Sequence, residues 1–121
     1  MAKVLIVDDS ESQLYSLTQI VEGAGHQVVT AANGEEGVEK AMAEIPDLIL
    51  MDVVMPGLNG FQATRKISKN ESTADIPVIF VTTKDQETDR IWGMRQGAAA
   101  YITKPIDKKV LLNAMNKALG G

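Results

Sequence analysis

Short apolar runs alternate along the chain with stretches whose apolar residues recur at helical spacing. The runs Val4–Val7, Val28–Ala31, Leu48–Met51, Val78–Val81 and Ala100–Thr103 are of strand length, and several are rich in Val and Ile, as buried strands require. Leu14, Leu17, Val21 and Ala24 predict a first helix, with Ser10 and Gln13 spaced to form a capping box before it. Val38, Ala41, Met42 and Ile45 predict a second, capped by Asn33 and stopped by Pro46. Phe61, Thr64 and Ile67 predict a third, opening near Asn59. The fourth is expected from about Asp85 to Gln96, with Ile91 and Met94 facing inward and Gly97 closing it. The fifth begins near Asp107 and turns Leu111, Ala114, Met115 and Ala118 to the core.

The pattern is a strict βα alternation with almost entirely apolar strands, and no repeat, linker or low-complexity tract interrupts it. It predicts an α/β fold: one parallel sheet covered on both faces. Right-handed crossovers make it doubly wound. With five strands the leading order is 2-1-3-4-5, flavodoxin-like, with ligands expected beyond the carboxyl ends of strands 1 and 3. Residues 1–121 form one domain, a length that suits a single core.

Composition narrows the chemistry. The formal net charge of −4 argues against non-specific nucleic-acid binding. There is no apolar run of 18 residues to span a membrane, and the apolar start is too short for a secretion signal. The expectation is a soluble, cytoplasmic domain with no membrane partner. With no cysteine, disulfides, zinc–thiolate sites and cysteine nucleophiles are excluded. The single histidine, His26, reads as a loop residue between the first helix and second strand. Asn70-Glu71-Ser72 matches a glycosylation acceptor by chance.

Polar residues collect where four of the five strands end. Asp8 and Asp9 follow the first strand, Asp52 the third, Thr82 and Thr83 the fourth, and Lys104-Pro105 the fifth. Each has a structural reading alone: a helix cap at Asp8-Asp9-Ser10, turn chemistry at Asp52 and Lys104-Pro105, strand-end β formers at the threonines. Together, at one end of four strands, they describe a crevice of convergent titratable groups. Three close carboxylates raise one another's pKa unless a cation sits among them. All-oxygen ligands suit a hard ion, and Mg²⁺ takes one or two carboxylates while leaving positions for phosphate oxygens. Asp52 is placed to act as a carboxylate nucleophile toward a phosphoryl group. Thr82 and Lys104 would then bind the phosphoryl oxygens and offset their charge.

Along essentially its whole length the chain resembles the receiver domain of two-component response regulators. The resemblance rests on VLIVDDS, LILMDVVMPGLNG, IPVIFVTT and AYITKP, in this order and spacing. It implies that Asp52 is the phosphoacceptor (a 4-aspartylphosphate site) and that Asp8 and Asp9 are the acidic metal pair. It implies that Thr82 is the switch hydroxyl, Tyr101 the switch aromatic, and Lys104 the phosphate-pairing lysine. It also implies a backbone carbonyl ligand from Val54 and a cis Lys104–Pro105 bond. The 2-1-3-4-5 order is typified by the chemotaxis member of this family, so the topology is not independent of the resemblance. Thr83 departs from the family, which usually has Ala or Gly there. Within the family, MPGLNGFQATRKI and VTTKDQETDRIWGMRQGA look most like the single-domain regulators of type IV pilus twitching motility.

The resemblance implies a signalling switch rather than an enzyme. A histidine kinase would phosphorylate Asp52 with Mg²⁺, and the face made by the fourth helix, fifth strand and fifth helix would change its binding to a downstream target. The sequence carries no output domain after its fifth helix, so output is expected through another protein, or the domain serves as a phosphate sink. Two rivals are weaker. A Mg²⁺-dependent aspartyl phosphatase wants an acid two residues after the nucleophile, where this chain has Val54. A flavin carrier wants a Ser/Thr/Gly-rich loop after the first strand, where Asp8 and Asp9 would repel its phosphate. In the family the side chains two residues beyond the acceptor and the switch hydroxyl flank the approach of water. Here Val54 has no group to orient one, Lys84 is expected to cover and pair with the phosphoryl group, and Thr83 to crowd the same opening, so slow self-dephosphorylation is expected.

Overall fold

The computed structural model describes residues 1–120. In chain order the elements are β1 (Lys3–Val7), α1 (Glu11–Gly23), β2 (Gln27–Ala31), α2 (Gly34–Glu44), β3 (Leu48–Met51), α3 (Gly60–Lys69), β4 (Val78–Thr82), α4 (Glu87–Arg95), β5 (Ala100–Thr103) and α5 (Lys108–Ala118). All strand pairs are parallel, as the alternation predicts, and the sheet order is β2-β1-β3-β4-β5, the order expected with the resemblance.

Alternation along the strands builds two cores. Leu5, Val7, Ile49, Met51 and Phe80 point to one face, where Ala41 of α2 and Ala63 and Ile67 of α3 cover them. Val4, Ile6, Leu48, Leu50, Ile79 and Val81 point to the other, beneath Leu17 and Val21 of α1 and Leu111 and Met115 of α5. Burial on both faces explains why the strands read as continuous apolar runs.

The helix starts follow local side-chain chemistry. Asn33 accepts from the Glu36 N–H at 2.8 Å, and Asp107 accepts from Lys109 and Val110. Asn59 and Gln62 form a full capping box, both bonds at 2.9 Å. At Ser10 only half of the predicted box forms, from the Gln13 N–H to Ser10 Oγ at 3.4 Å.

Three helical faces differ from their prediction. Ala24 is the exposed C-cap of α1 rather than a core residue. Met42 and Ile45 are exposed, because the buried residues of α2 are Gly34, Gly37 and Ala41, with Gly37 against Val7 of β1, and Ile45 leaves the helix in a left-handed conformation, φ 43°. The largest difference is α4. Ile91 and Met94 are exposed, as is Trp92, and the one buried residue of the helix is Gly93. A Cβ at position 93 would sit 2.7 Å from Tyr101 Cδ2 and 3.3 Å from Phe80 Cδ2. The helix is seated on aromatic rings supplied by the sheet, so its own apolar side chains point away. Spacing alone assigned the burial to the wrong residues.

Candidate functional site

Register assembles the site. Val7 pairs with Met51 across β1 and β3, so the next residues, Asp8 and Asp52, emerge side by side. The Asp52 N–H extends the ladder to the Val7 carbonyl at 2.9 Å. Thr82 pairs with Thr103 across β4 and β5, and the Lys104 N–H bonds the Thr82 carbonyl at 2.8 Å. Gly60, at the start of α3, packs directly on the Asp52 carbonyl, and a Cβ there would overlap it. That close approach holds the β3–α3 loop over the acid.

The polar residues predicted at the strand ends meet. Asp8, Asp9 and Asp52 each offer a carboxylate oxygen, and these oxygens lie within 4.8 Å of one another. Asp8 and Asp52 are buried, and Asp9 is exposed. Lys104 Nζ reaches into the cluster, 2.7 Å from Asp8 Oδ2 and 3.5 Å from Asp52 Oδ2. Asp8 Oδ1 accepts from the Ser10 N–H at 2.9 Å, and Asp52 Oδ1 from the Val54 N–H at 3.3 Å.

The electrostatics of Asp52 are adverse. Burial raises its carboxyl above the usual range, and the Asp8 charge pushes it further. Lys104, the Thr82 hydroxyl and the Val54 N–H oppose the rise but do not cancel it. The ion pair to Lys104 is therefore outweighed by desolvation and like charge. Such a site gains from added positive charge. Its all-oxygen donors at this spacing fit a hard divalent ion such as Mg²⁺.

Beside the acids, Thr82 is fully buried, and its hydroxyl accepts from the Lys84 N–H at 3.2 Å. Tyr101 is buried at 5% exposure, and its hydroxyl donates to the Lys84 carbonyl at 2.8 Å. Burial, with a smaller effect from Asp89, pushes its phenol up to about 12. The Lys104–Pro105 bond is cis. Val54, Thr83 and Lys84 are exposed at the rim. His26 has a structural task, its Nδ1 accepting the Ala2 N–H at 3.1 Å.

Sequence reasoning missed Arg90. Its guanidinium donates to the Tyr101 carbonyl at 3.1 Å and lies 5.4 Å from the Tyr101 ring centroid. An arginine on an exposed helix gives no signal of this in the sequence, since its partner lies on a neighbouring strand.

A family model for the response regulator receiver domain matches residues 4–116. Protein PilH of Pseudomonas aeruginosa is 59% identical over 121 residues, covering all of both chains. The chemotaxis protein CheY4 of Vibrio cholerae superposes with a TM-score of 0.91 at 33% identity, over 98% of this chain and 99% of that one. The receiver domain of the sensor histidine kinase PA1611 of Pseudomonas aeruginosa, solved with a magnesium ion in its active-site cleft, superposes with a TM-score of 0.91 at 28% identity, over 99% and 98% of the two chains.

Proposed function

The chain belongs to the response regulator receiver domain family, and from that premise we propose that Asp52 is the phosphoacceptor of a two-component relay serving twitching motility. The observation that carries the reading is the convergence of Asp8, Asp9 and Asp52 around Lys104. The motility assignment rests on the full-length similarity to PilH.

The donor is a phosphohistidine of a kinase. An Asp52 carboxylate oxygen attacks phosphorus, the P–N bond breaks, and the leaving imidazole keeps the electron pair and takes up a proton. Asp8, Asp9, Asp52 and the Val54 carbonyl would hold Mg²⁺. That ion, when bound, supplies positive charge to the phosphoryl oxygens. The magnesium-bound cleft of the PA1611 receiver domain supports this choice. Lys104 turns from the carboxylates to pair with the incoming phosphoryl group, and the Thr82 hydroxyl donates to one of its oxygens. The domain acts in the cytoplasm, catalyses only its own phosphoryl transfer and loss, and signals through protein contacts.

The exposed Ile91, Trp92 and Met94 of α4 and Val110 of α5 favour an output surface on the α4–β5–α5 face over a pure phosphate sink. Large apolar side chains left exposed on neighbouring turns of one helix, as Ile91, Trp92 and Met94 are on α4, are a mark of interaction sites.

The test is phosphotransfer from candidate kinases to the wild-type protein and to Asp52→Asn. Acid-labile label on the wild type alone is expected. Equal labelling of the variant would overturn the assignment.

A further inference from the structure

A hydrogen-bonded chain leads out of the acidic site. The Thr82 hydroxyl accepts from the Lys84 N–H. The Lys84 carbonyl accepts from the Tyr101 hydroxyl. The Tyr101 carbonyl accepts from the Arg90 guanidinium, which also faces the Tyr101 ring. Every link is between neighbours in space on β4, the β4–α4 loop, β5 and α4, and the last link lies on the exposed helix.

The seating of α4 converges on the same tyrosine. Gly93 is the only buried residue of the helix, and it rests on Tyr101 and Phe80. The position of the Tyr101 ring and the attachment of α4 are therefore one variable. If the ring swung outward, its hydroxyl would leave Lys84 and the space beneath Gly93 would open. The ring face would also move away from Arg90.

We propose that Arg90 is a positioning residue that holds Tyr101 in its buried rotamer, and thereby seats α4 and tunes how readily the acidic site takes a phosphoryl group. The second half rests on the reading of Asp52 and Tyr101 given above. A hydrogen bond from a charged donor and a cation–π contact act together here. Their loss lowers the buried fraction of Tyr101, and any ligand that requires the buried state then binds more weakly by that fraction. By reciprocity, such a ligand restores the buried ring.

The chain has only two tyrosines. Tyr15 is 67% exposed and Tyr101 5%, so fluorotyrosine labelling gives one exposed reference signal and one buried reporter in the ¹⁹F spectrum. In the wild type a single buried Tyr101 signal is expected. Arg90→Ala should shift or split that signal toward the exposed position while leaving Tyr15 unchanged. Mg²⁺ with beryllofluoride should then return it to the buried position, with an apparent affinity about three- to tenfold weaker than wild type, the factor set by two contacts of this class. Arg90→Lys keeps a cation over the ring and should fall between the two. Gly93→Ala would place a Cβ 2.7 Å from Tyr101 Cδ2 and should expose Tyr101 with Arg90 still present. An Arg90→Ala spectrum identical to wild type overturns the proposal. A shifted spectrum with unchanged beryllofluoride affinity overturns its second half. If wild type binds no beryllofluoride, the Asp52 reading falls, and the ligand-free spectra still decide whether Arg90 holds the ring.

Discussion

Asp8 and Lys104 are 96 residues apart in sequence and 2.7 Å apart in space. Both side chains are buried, with 1% and 8% exposure. The same ammonium lies 3.5 Å from Asp52. Lys104 is thus the protein's own counter-ion for two carboxylates that would otherwise repel each other at the mouth of the sheet. A buried pair of this kind is costly to break from one side, because the remaining charge stays desolvated.

Lys104→Ala should therefore destabilise the metal-free protein by about 3 kcal/mol. Mg²⁺ should recover much of that loss, because a ligand that binds only the folded state stabilises it. Urea denaturation with and without Mg²⁺ measures both effects. The variant should gain more stability from the ion than wild type does. An equal gain would mean that Lys104 and the ion do not share the site.

The raised pKa of Asp52 makes a signed prediction. Its carboxyl titrates above its unfolded value of 3.8, so between that value and the folded one the native state binds more protons than the unfolded state. The contribution of Asp52 to stability then falls as pH rises through this window. Asp52→Asn removes the penalty. The variant should be more stable than wild type at neutral pH, and the difference should shrink toward zero as pH falls below the ordinary carboxylate range. Denaturation midpoints of the two proteins across pH 3 to 8, an interval spanning about that window, give the comparison. A constant difference would show that Asp52 carries no folding-linked proton.

Signal lifetime depends on water reaching the phosphoryl group. Val54 is half exposed beside Asp52 and has no group to orient a water. General-base help withheld there is worth about 10²-fold. Slow decay of the phosphorylated protein is expected, with faster decay in Val54→Asn or Val54→Gln. Lys84, exposed two residues after Thr82, is expected to shield and pair with the group, so Lys84→Ala should also shorten the lifetime. Decay of radiolabelled protein freed of kinase measures each rate. Rates unchanged in both the Val54→Asn and Lys84→Ala variants would remove these positions from the kinetics.

Thr64 carries an unpaired hydroxyl. The residue is 2% exposed on α3, and its Oγ1 has no hydrogen-bond partner among the described residues. Replacing such a group with an apolar one of the same shape removes a desolvation penalty. Thr64→Val should stabilise the domain by about 1 kcal/mol, read as a rise of about 3–5 °C in Tm. A fall in Tm would mean that the hydroxyl finds a partner in solution.

Much of this protein is decided within short stretches of chain. Apolar runs of four or five residues, alternating with stretches of helical spacing, read as strands buried on both faces, which points to helices on both sides and a parallel sheet. Polar residues set just after those runs then gather at one edge, so Asp8, Asp9, Asp52, Thr82 and Lys104 are legible as a group in the sequence. Helix starts at Asn33, Asn59 and Asp107 were legible for the same reason, since a cap is a contact over two or three residues.

What tertiary structure alone decided are contacts between elements distant in sequence. Periodicity identifies an apolar residue but not the surface it meets, so Ile91 and Met94 looked like core until Tyr101 and Phe80 filled the space beneath Gly93. The upward shift of the Asp52 carboxyl likewise depends on burial and on Asp8 outweighing Lys104, a balance of distances that no spacing encodes. Arg90 on Tyr101 is the same case. Its geometry is created only when α4 lies across β5, because an arginine's reach is specified by what folds beneath it.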